Sequence, residues 1–329
     1  MGIFALGGGD EHANRWQPDR SSLVLEFWDR SRELSIKNND YRNFVNGLFL
    51  LLLKYDIKNK DFETSSLIAN SKNISAYIAA KEEGVIAGLE EFGFLNKDLK
   101  LKFMKKDGSK IKNGDVIVKI HGDAKKILKR ERINLNLLQR MSGIATLTNK
   151  LNKKLKNNIK IAATRKTLWG LLDKKAVSIG NGLTHRLNLN DGVIIKDNHI
   201  KILNYGIEKA LKTTQNKSKY IEIEIENKKQ AFEAAKSIKK IIQNGNKNLY
   251  AIMLDKIKPK EIKSIIKDLK RQDLYNYVLL EASGNINENN LPQYKDCGVD
   301  IISMGQITNS AKALNMSMEA SQIRGNLRN

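Results

Sequence analysis

Six short apolar runs divide the second half of the chain at a nearly regular interval, and nothing else restricts the fold as much. They lie at residues 159–163, 193–195, 221–225, 250–254, 278–280 and 299–303. Each is rich in Ile, Val, Leu or Ala and too short to be a helix, and each is followed by helical or loop sequence. A recurrence of roughly 20–35 residues is the length of one β-α unit. Six units predict a parallel sheet, either rolled into a (β/α) barrel or left open and doubly wound.

The residues that end the runs separate these two outcomes. Arg165 and Lys166 follow the first run, and Lys196, Asp197 and His199 follow the second. Glu224 lies in the third and Asp255 ends the fourth, while Ser283 with Gly284, then Gly305, follow the last two. In a barrel the carboxyl ends of all strands face one mouth, so these groups converge. In an open sheet they would spread along an edge. No full G-x-G-x-x-G fingerprint opens a unit, which weakens the open-sheet reading. The expectation is an α/β chain with a barrel over residues 131–310, introduced by a helix over 132–151.

Residues 21–130 have a different texture. Two helical patterns occupy 22–55, then Ile74, Ala76, Ile78 and Ala80 alternate with Ser75, Tyr77 and Ala79. Turn signals at Asp107-Gly108 and Asn113-Gly114 precede a second alternation at Val116, Val118 and Ile120. This is a small α+β unit. Residues 1–20 are expected to be a disordered leader, and 311–329 a C-terminal helix and tail.

Composition narrows the class. Apolar residues form 41% of the chain, enough for a sizeable core. The single cysteine, Cys297, excludes a disulfide framework and a cysteine-based zinc site, and suits a cytoplasmic location. The apolar run at 48–53 is far short of the ~20 residues a membrane-crossing helix needs. Residues 1–9 lack the basic start of a secretory signal. The net charge of +22 invites a nucleic-acid reading, yet no RNP, helix-turn-helix or zinc-finger pattern accompanies it. The plainer account is a lysine-rich surface, with no nucleic-acid partner.

Chemistry is expected at the barrel mouth. Arg132, Arg165, Lys166, His185, Arg186 and Lys196 are joined there by only a few acids, Glu222 or Glu224 and Asp255. Arg receives carboxylate or phosphate oxygens in pairs, and Lys acts as a point charge. So many like charges are costly without a partner, so the pocket suits a ligand with several negative charges. Glu222, Glu224 and Glu226 alternate with Ile, so all three share one side of their strand, which in a barrel faces inward. His199 can orient a loop rather than bind, and the four histidines are not spaced as a metal site. Ser283, Gly284 and Gly305 are either a phosphate cradle or ordinary turn residues.

Ordered motifs add a family resemblance. Glu131-Arg132, Leu135-Asn136 and Ser142-Gly143-Ile144-Ala145-Thr146 resemble the helix signature of the quinolinate phosphoribosyltransferases. The likeness continues through Thr164-Arg165-Lys166-Thr167, His185-Arg186, Ile195-Lys196-Asp197-Asn198-His199, Glu222-Ile223-Glu224, Leu254-Asp255 and Glu281-Ala282-Ser283-Gly284. It implies an N-terminal α/β sandwich domain, an open (β/α) TIM-like barrel, and a homodimer or a multiple of one. It also implies synthesis of nicotinate mononucleotide, pyrophosphate and CO2 from quinolinate and phosphoribosyl pyrophosphate, with Mg2+. Arg132 would reach the partner's pocket. Thr164, Arg165, Lys166, His185, Arg186 and Lys196 would receive carboxylates and phosphates, with Lys166, Lys196, Glu224 and Asp255 closest to the chemistry. Glu224 and Asp255 would hold the ribose hydroxyls, directly or through the metal, and Ser283, Gly284 and Gly305 the 5′-phosphate. Ala163, Leu168-Trp169, Asn181 and Asn315 depart from the family pattern, and Leu168-Trp169 would reshape the pyridine pocket. A paralogous phosphoribosyltransferase for another anionic ring, or a basic nucleic-acid-binding protein, are the alternatives.

Overall fold

The computed structural model describes residues 19–58, 62–68, 72–155 and 159–321. The expected leader, up to residue 18, and the last eight residues lie outside them. Two compact units emerge. One is a barrel unit containing residues up to 29, 154–162 and 185–304; the other, a sheet unit, contains 30–153, 163–184 and 305 onward.

Helix α1 (Arg20–Trp28) belongs to the barrel unit and is capped by Asp19, whose carboxylate accepts the Ser22 amide at 3.0 Å. The sheet unit begins with α2 (Asn39–Ile57), α3 (Phe62–Leu67), β1 (Asn73–Ala80), β2 (Gly84–Val85) and α4 (Leu89–Leu95). It continues with β3 (Lys100–Phe103), β4 (Lys110–Ile111), β5 (Val116–Asp123) and the long α5 (Ala124–Lys154). β1, β5 and β3 pair antiparallel. The two-residue period of β1 sends Ile74, Ala76, Ile78 and Ala80 into a core with Ile127, Leu135 and Leu138 of α5. The other face carries Tyr77, Lys119 and Lys102 in one cross-strand row. An antiparallel sheet covered on one side is the expected open-faced sandwich.

The barrel unit holds β6 (Lys160–Ala162), β7 (Val193–Ile195), β8 (Tyr220–Ile225), β9 (Leu249–Asp255), β10 (Leu279–Ser283) and β11 (Ile301–Ser303). All pair in parallel, in the order β6-β11-β10-β9-β8-β7. The first strand lies beside the last, as closure into a barrel requires. Among the described residues no ladder joins β6 to β7, so the barrel is open there. The sheet unit holds the excursion between them, with helix α6 (Leu171–Ile179).

In the barrel unit follow α7 (Asp197–Leu203), α8 (Ile207–Thr214), α9 (Lys228–Gln243) and α10 (Pro259–Arg271). α10 buries Ile262, Ile265, Ile266 and Leu269, a stripe at three- and four-residue steps, and leaves its lysines outside. α9 does the same with Ala231, Ala234, Ala235, Ile238, Ile241 and Ile242. Much of the positive charge is thus the solvated face of amphipathic helices.

Three expectations about boundaries change. Arg20, placed in the leader by sequence, grips Asp300 through Nε at 2.6 Å and Nη2 at 2.7 Å, and so opens the barrel unit. The boundary near residue 130 falls inside α5, and residues 163–184 and 305–310 cluster with the sheet unit instead of the barrel. The expected C-terminal helix is a strand. After α11 (Gln306–Asn309), β12 (Met316–Ser321) pairs antiparallel with β1, from Ala80 opposite Met316 to Ser75 opposite Ser321. Met316 and Met318 alternate into the core, and β1 gains the hydrogen-bonding neighbour that its free edge lacks. Gly143 permits this return, because a Cβ there would sit 2.0 Å from the Lys312 carbonyl. Its neighbours in the helix signature dock the same region: Ser142 Oγ accepts the Ala87 amide at 3.0 Å and Thr146 Oγ1 the Val85 amide at 2.8 Å.

Candidate active site

Deep in the barrel, Glu222 of β8, Glu281 of β10 and Ser303 of β11 meet the ring of His185. All four are at least nine-tenths buried. His185 Nε2 lies 3.0 Å from Glu281 Oε2 and 3.3 Å from Glu222 Oε2. In a flat sheet β8 and β10, separated by β9, would stand roughly 10 Å apart. Their two carboxyls reach one nitrogen because the sheet curls. The Ser303 hydroxyl donates to Glu281 Oε1 and lies 2.9 Å from Ser283 Oγ. Both oxygens of Glu222 lack a hydrogen-bond partner among the described residues.

His185 adopts a left-handed backbone, φ 56°, which costs a non-glycine residue about 1 kcal/mol or more. Its amide donates to the Trp28 carbonyl at 2.7 Å, and its Nδ1 accepts the Arg186 amide at 2.8 Å. Burial works against a charged imidazole, but the Glu281 and Glu222 carboxylates outweigh it and push the pKa up. The Arg186 amide opposes an imidazolium, since an Nδ1–H would point at another N–H. That fixed contact assigns the neutral ring with its hydrogen on Nε2. The proton favoured by the electrostatics then resides on Glu222, whose pKa burial and the Glu281 charge drive upward. The same tautomer decides against a cation here. Three ligand atoms lie within 4.8 Å of one another, yet the nitrogen among them carries a hydrogen.

The alternating acids of β8 grade outward. Glu222 is buried, Glu224 half-buried and Glu226 exposed. At the carboxyl ends of β8 and β9, burial and the charge of Asp255 raise the Glu224 pKa, while Lys196 and Lys256 oppose them. Lys256 Nζ meets Asp255 Oδ2 at 2.7 Å. β10 ends against this pair: a Cβ on Gly284, φ 84°, would stand 2.5 Å from Asp255 Oδ1 and 2.7 Å from the Lys256 amide. Lys256 and Asn285 are also left-handed, at φ 57° and 54°. Three such residues at adjoining strand ends mark a shaped site. Lys196 is exposed, and the His199 ring accepts its amide at 3.0 Å, so His199 orients the loop.

In the sheet unit Arg132, Arg165 and Lys166 are exposed. The Thr164 hydroxyl accepts the Lys166 amide at 3.1 Å, and the Lys166 carbonyl accepts the Thr308 hydroxyl at 2.8 Å. Gly305 lies beside these, where a Cβ would be 3.3 Å from Lys166 Cδ. The Leu168 and Trp169 amides donate to Asp173 Oδ2 at 2.8 and 3.1 Å, and Arg140 clasps both oxygens of Asp173.

His185, expected from sequence to receive the ligand, has its ring nitrogens beside Glu281 and the Arg186 amide. Sequence reasoning overlooked Glu281 and Ser303 as functional residues, although both occur in motifs it singled out. Their signal was polarity at inward positions of two apolar strands. The barrel, its strand-end carboxylates and its cations define an enzyme scaffold suited to an anionic substrate.

Comparison with known proteins supplies the particular family. The quinolinate phosphoribosyl transferase N-terminal domain matches residues 61–142, and the C-terminal domain residues 144–319. A probable nicotinate-nucleotide pyrophosphorylase (carboxylating) of Methanothermobacter thermautotrophicus is 37% identical over 284 residues, covering 83% of this chain and 97% of that protein. The mitochondrial quinolinate phosphoribosyltransferase (decarboxylating) 2a of Nicotiana tabacum is 35% identical over 291 residues, 84% of this chain and 82% of that one. The solved structure of the nicotinate-nucleotide pyrophosphorylase from Francisella tularensis superposes with a TM-score of 0.71 at 31% identity, over 85% of this chain and 96% of that one. The chain belongs to the quinolinate phosphoribosyltransferase family. Among the described residues, no helix is long and apolar enough to cross a membrane.

Proposed function

We propose that this enzyme transfers the phosphoribosyl group of phosphoribosyl pyrophosphate to the ring nitrogen of quinolinate, with loss of CO2. The products are nicotinate mononucleotide and pyrophosphate, a step of NAD biosynthesis. The observation that carries this reading is the pair Glu224 and Asp255 at the barrel mouth, set among Lys196 and Lys256, in a chain of this family. A cytoplasmic setting accords with the lone, buried Cys297.

The charges match the reaction. As the bond from the anomeric carbon to pyrophosphate breaks, positive charge builds on the ribose and negative charge on the leaving group. Glu224 and Asp255 beside the ribose stabilise the first; Lys166 and Lys196 stabilise the second. Thr164, Arg165, Arg186 and the partner's copy of Arg132 orient the quinolinate carboxylates, and orientation lowers the barrier by proximity. His185 joins this set through its ring, which accepts the Arg186 amide. Ser283, Gly284 and Gly305 receive the 5′-phosphate. Loss of CO2 leaves electrons on a ring whose nitrogen is cationic, so no separate base is required.

Mg2+ takes hard oxygen donors, and two carboxylates that repel each other across a strand end fit it. Glu224 and Asp255 would hold it, directly or through the ribose hydroxyls, and it would supply positive charge to offset that of pyrophosphate.

The test supplies donor, Mg2+ and either quinolinate or nicotinate, and follows CO2 and mononucleotide. Quinolinate-dependent release of both is expected, and product from nicotinate alone would overturn the decarboxylating assignment. Arg132→Ala should be inactive yet folded. Mixing it with Lys196→Ala should restore activity where a homodimer shares its sites; no recovery after demonstrated subunit exchange counts against sharing.

A further inference from the structure

One unbroken series of hydrogen bonds crosses the barrel interior without touching the reacting groups. Ser283 Oγ lies 2.9 Å from Ser303 Oγ, and Ser303 donates to Glu281 Oε1. Glu281 Oε2 receives His185 Nε2–H at 3.0 Å, and His185 Nδ1 receives the Arg186 amide at 2.8 Å. At one end stands a residue assigned to the donor's phosphate, at the other an arginine assigned to the acceptor's carboxylates.

The middle of the series holds a strained backbone. His185 keeps φ 56° although it is not glycine. The peptide that leaves it begins Arg186, whose Nη1 then reaches the Gly192 carbonyl at 2.8 Å. A ring gripped at both nitrogens fixes the peptide between residues 185 and 186. A ring released by Glu281 lets that peptide turn toward ordinary φ, and the arginine turns with it. Glu281 is wholly buried, so a carboxylate there must serve a partner to be tolerated.

We propose that Glu281 is a positioning residue for acceptor binding: it anchors the His185 ring, with Ser303 as its lock, and thereby sets the direction of Arg186. The proposal deepens the functional reading above and rests on it only for the role of Arg186.

Glu281→Gln keeps the shape and one acceptor oxygen but loses the charge that grips the ring. Its KM for quinolinate should rise about tenfold, equivalent to about 1.4 kcal/mol. Its kcat should stay within about threefold of the parent by the same scale, and the KM for phosphoribosyl pyrophosphate should change less than that for quinolinate. Ser303→Ala should move the quinolinate KM in the same direction by about threefold, and it keeps the proposal testable where Glu281→Gln does not fold. An unchanged quinolinate KM in a folded variant overturns the proposal, as does an equal rise in both KM values. Nitrogen-15 NMR of the histidine rings separates this from failure of the functional reading, because it needs no turnover. The parent should show the Nε2–H tautomer of His185, and Glu281→Gln a mixture; a parent already mixed overturns the anchoring.

Discussion

Asp173 in the sheet unit and Glu222 in the barrel unit are both inaccessible carboxyls, yet they are treated in opposite ways. Asp173 receives two hydrogen bonds from Arg140 and two from the amides of Leu168 and Trp169. Every interaction it lost on leaving water is replaced by a fixed donor. Among the described residues Glu222 has no hydrogen bond to either oxygen, only the His185 ring at 3.3 Å and a second acid nearby. Full compensation makes a clasp that holds the loop carrying Arg165 and Lys166. Partial compensation keeps a proton in play and leaves a cost that stability alone does not explain.

The contrast can be broken by substitution. The largest effect is expected from Asp173→Ala, which strands Arg140: a loss of about 3–5 kcal/mol, measured by urea unfolding. Gly284→Ala comes next, with a left-handed backbone and a Cβ pressed on Asp255; a loss of about 1–3 kcal/mol should accompany a larger fall in kcat/KM.

A third case sharpens the rule. Glu91, buried in α4 where the Tyr41 hydroxyl donates to it at 2.7 Å, has its pKa pushed up to about 7, chiefly by burial. The folded chain therefore holds this proton more tightly than the unfolded one. Its contribution is complete below the ordinary carboxyl range and fades as pH rises through 7. Stability should fall by up to about 3 kcal/mol across that window, and Glu91→Gln should flatten the slope. The smallest effect belongs to Glu222→Gln: within about 1 kcal/mol of the parent, because it removes an acid whose oxygens accept no hydrogen bond among the described residues. A loss comparable with that of Asp173→Ala would erase the distinction.

Much of this was legible in the sequence, and the reasons are physical. The strands declared themselves because half-buried or fully buried strands leave a short period, as in Ile74-Ser75-Ala76 or the run at 250–254. The barrel was legible from chemistry at strand ends, and the capacity of His199 to orient its loop accords with the bond its ring accepts from the Lys196 amide. Met316-Ser317-Met318 has the same alternation as β1, but six residues at the end of a polar stretch give too weak a pattern. The grip on His185 could not be read at all, since Glu281 lies far along the chain and only the curl of the sheet brings it there. Nor could the depth of Glu222, Glu224 and Glu226, whose shared periodicity conceals three different environments.

The pairing of Ala80 with Met316 also sets an order of events during synthesis. Every strand of the barrel leaves the ribosome before the first sheet receives its outermost member. Until then β1 offers an unpaired edge to whatever strand it meets, so the early part of this protein must wait, exposed, for the late part to arrive.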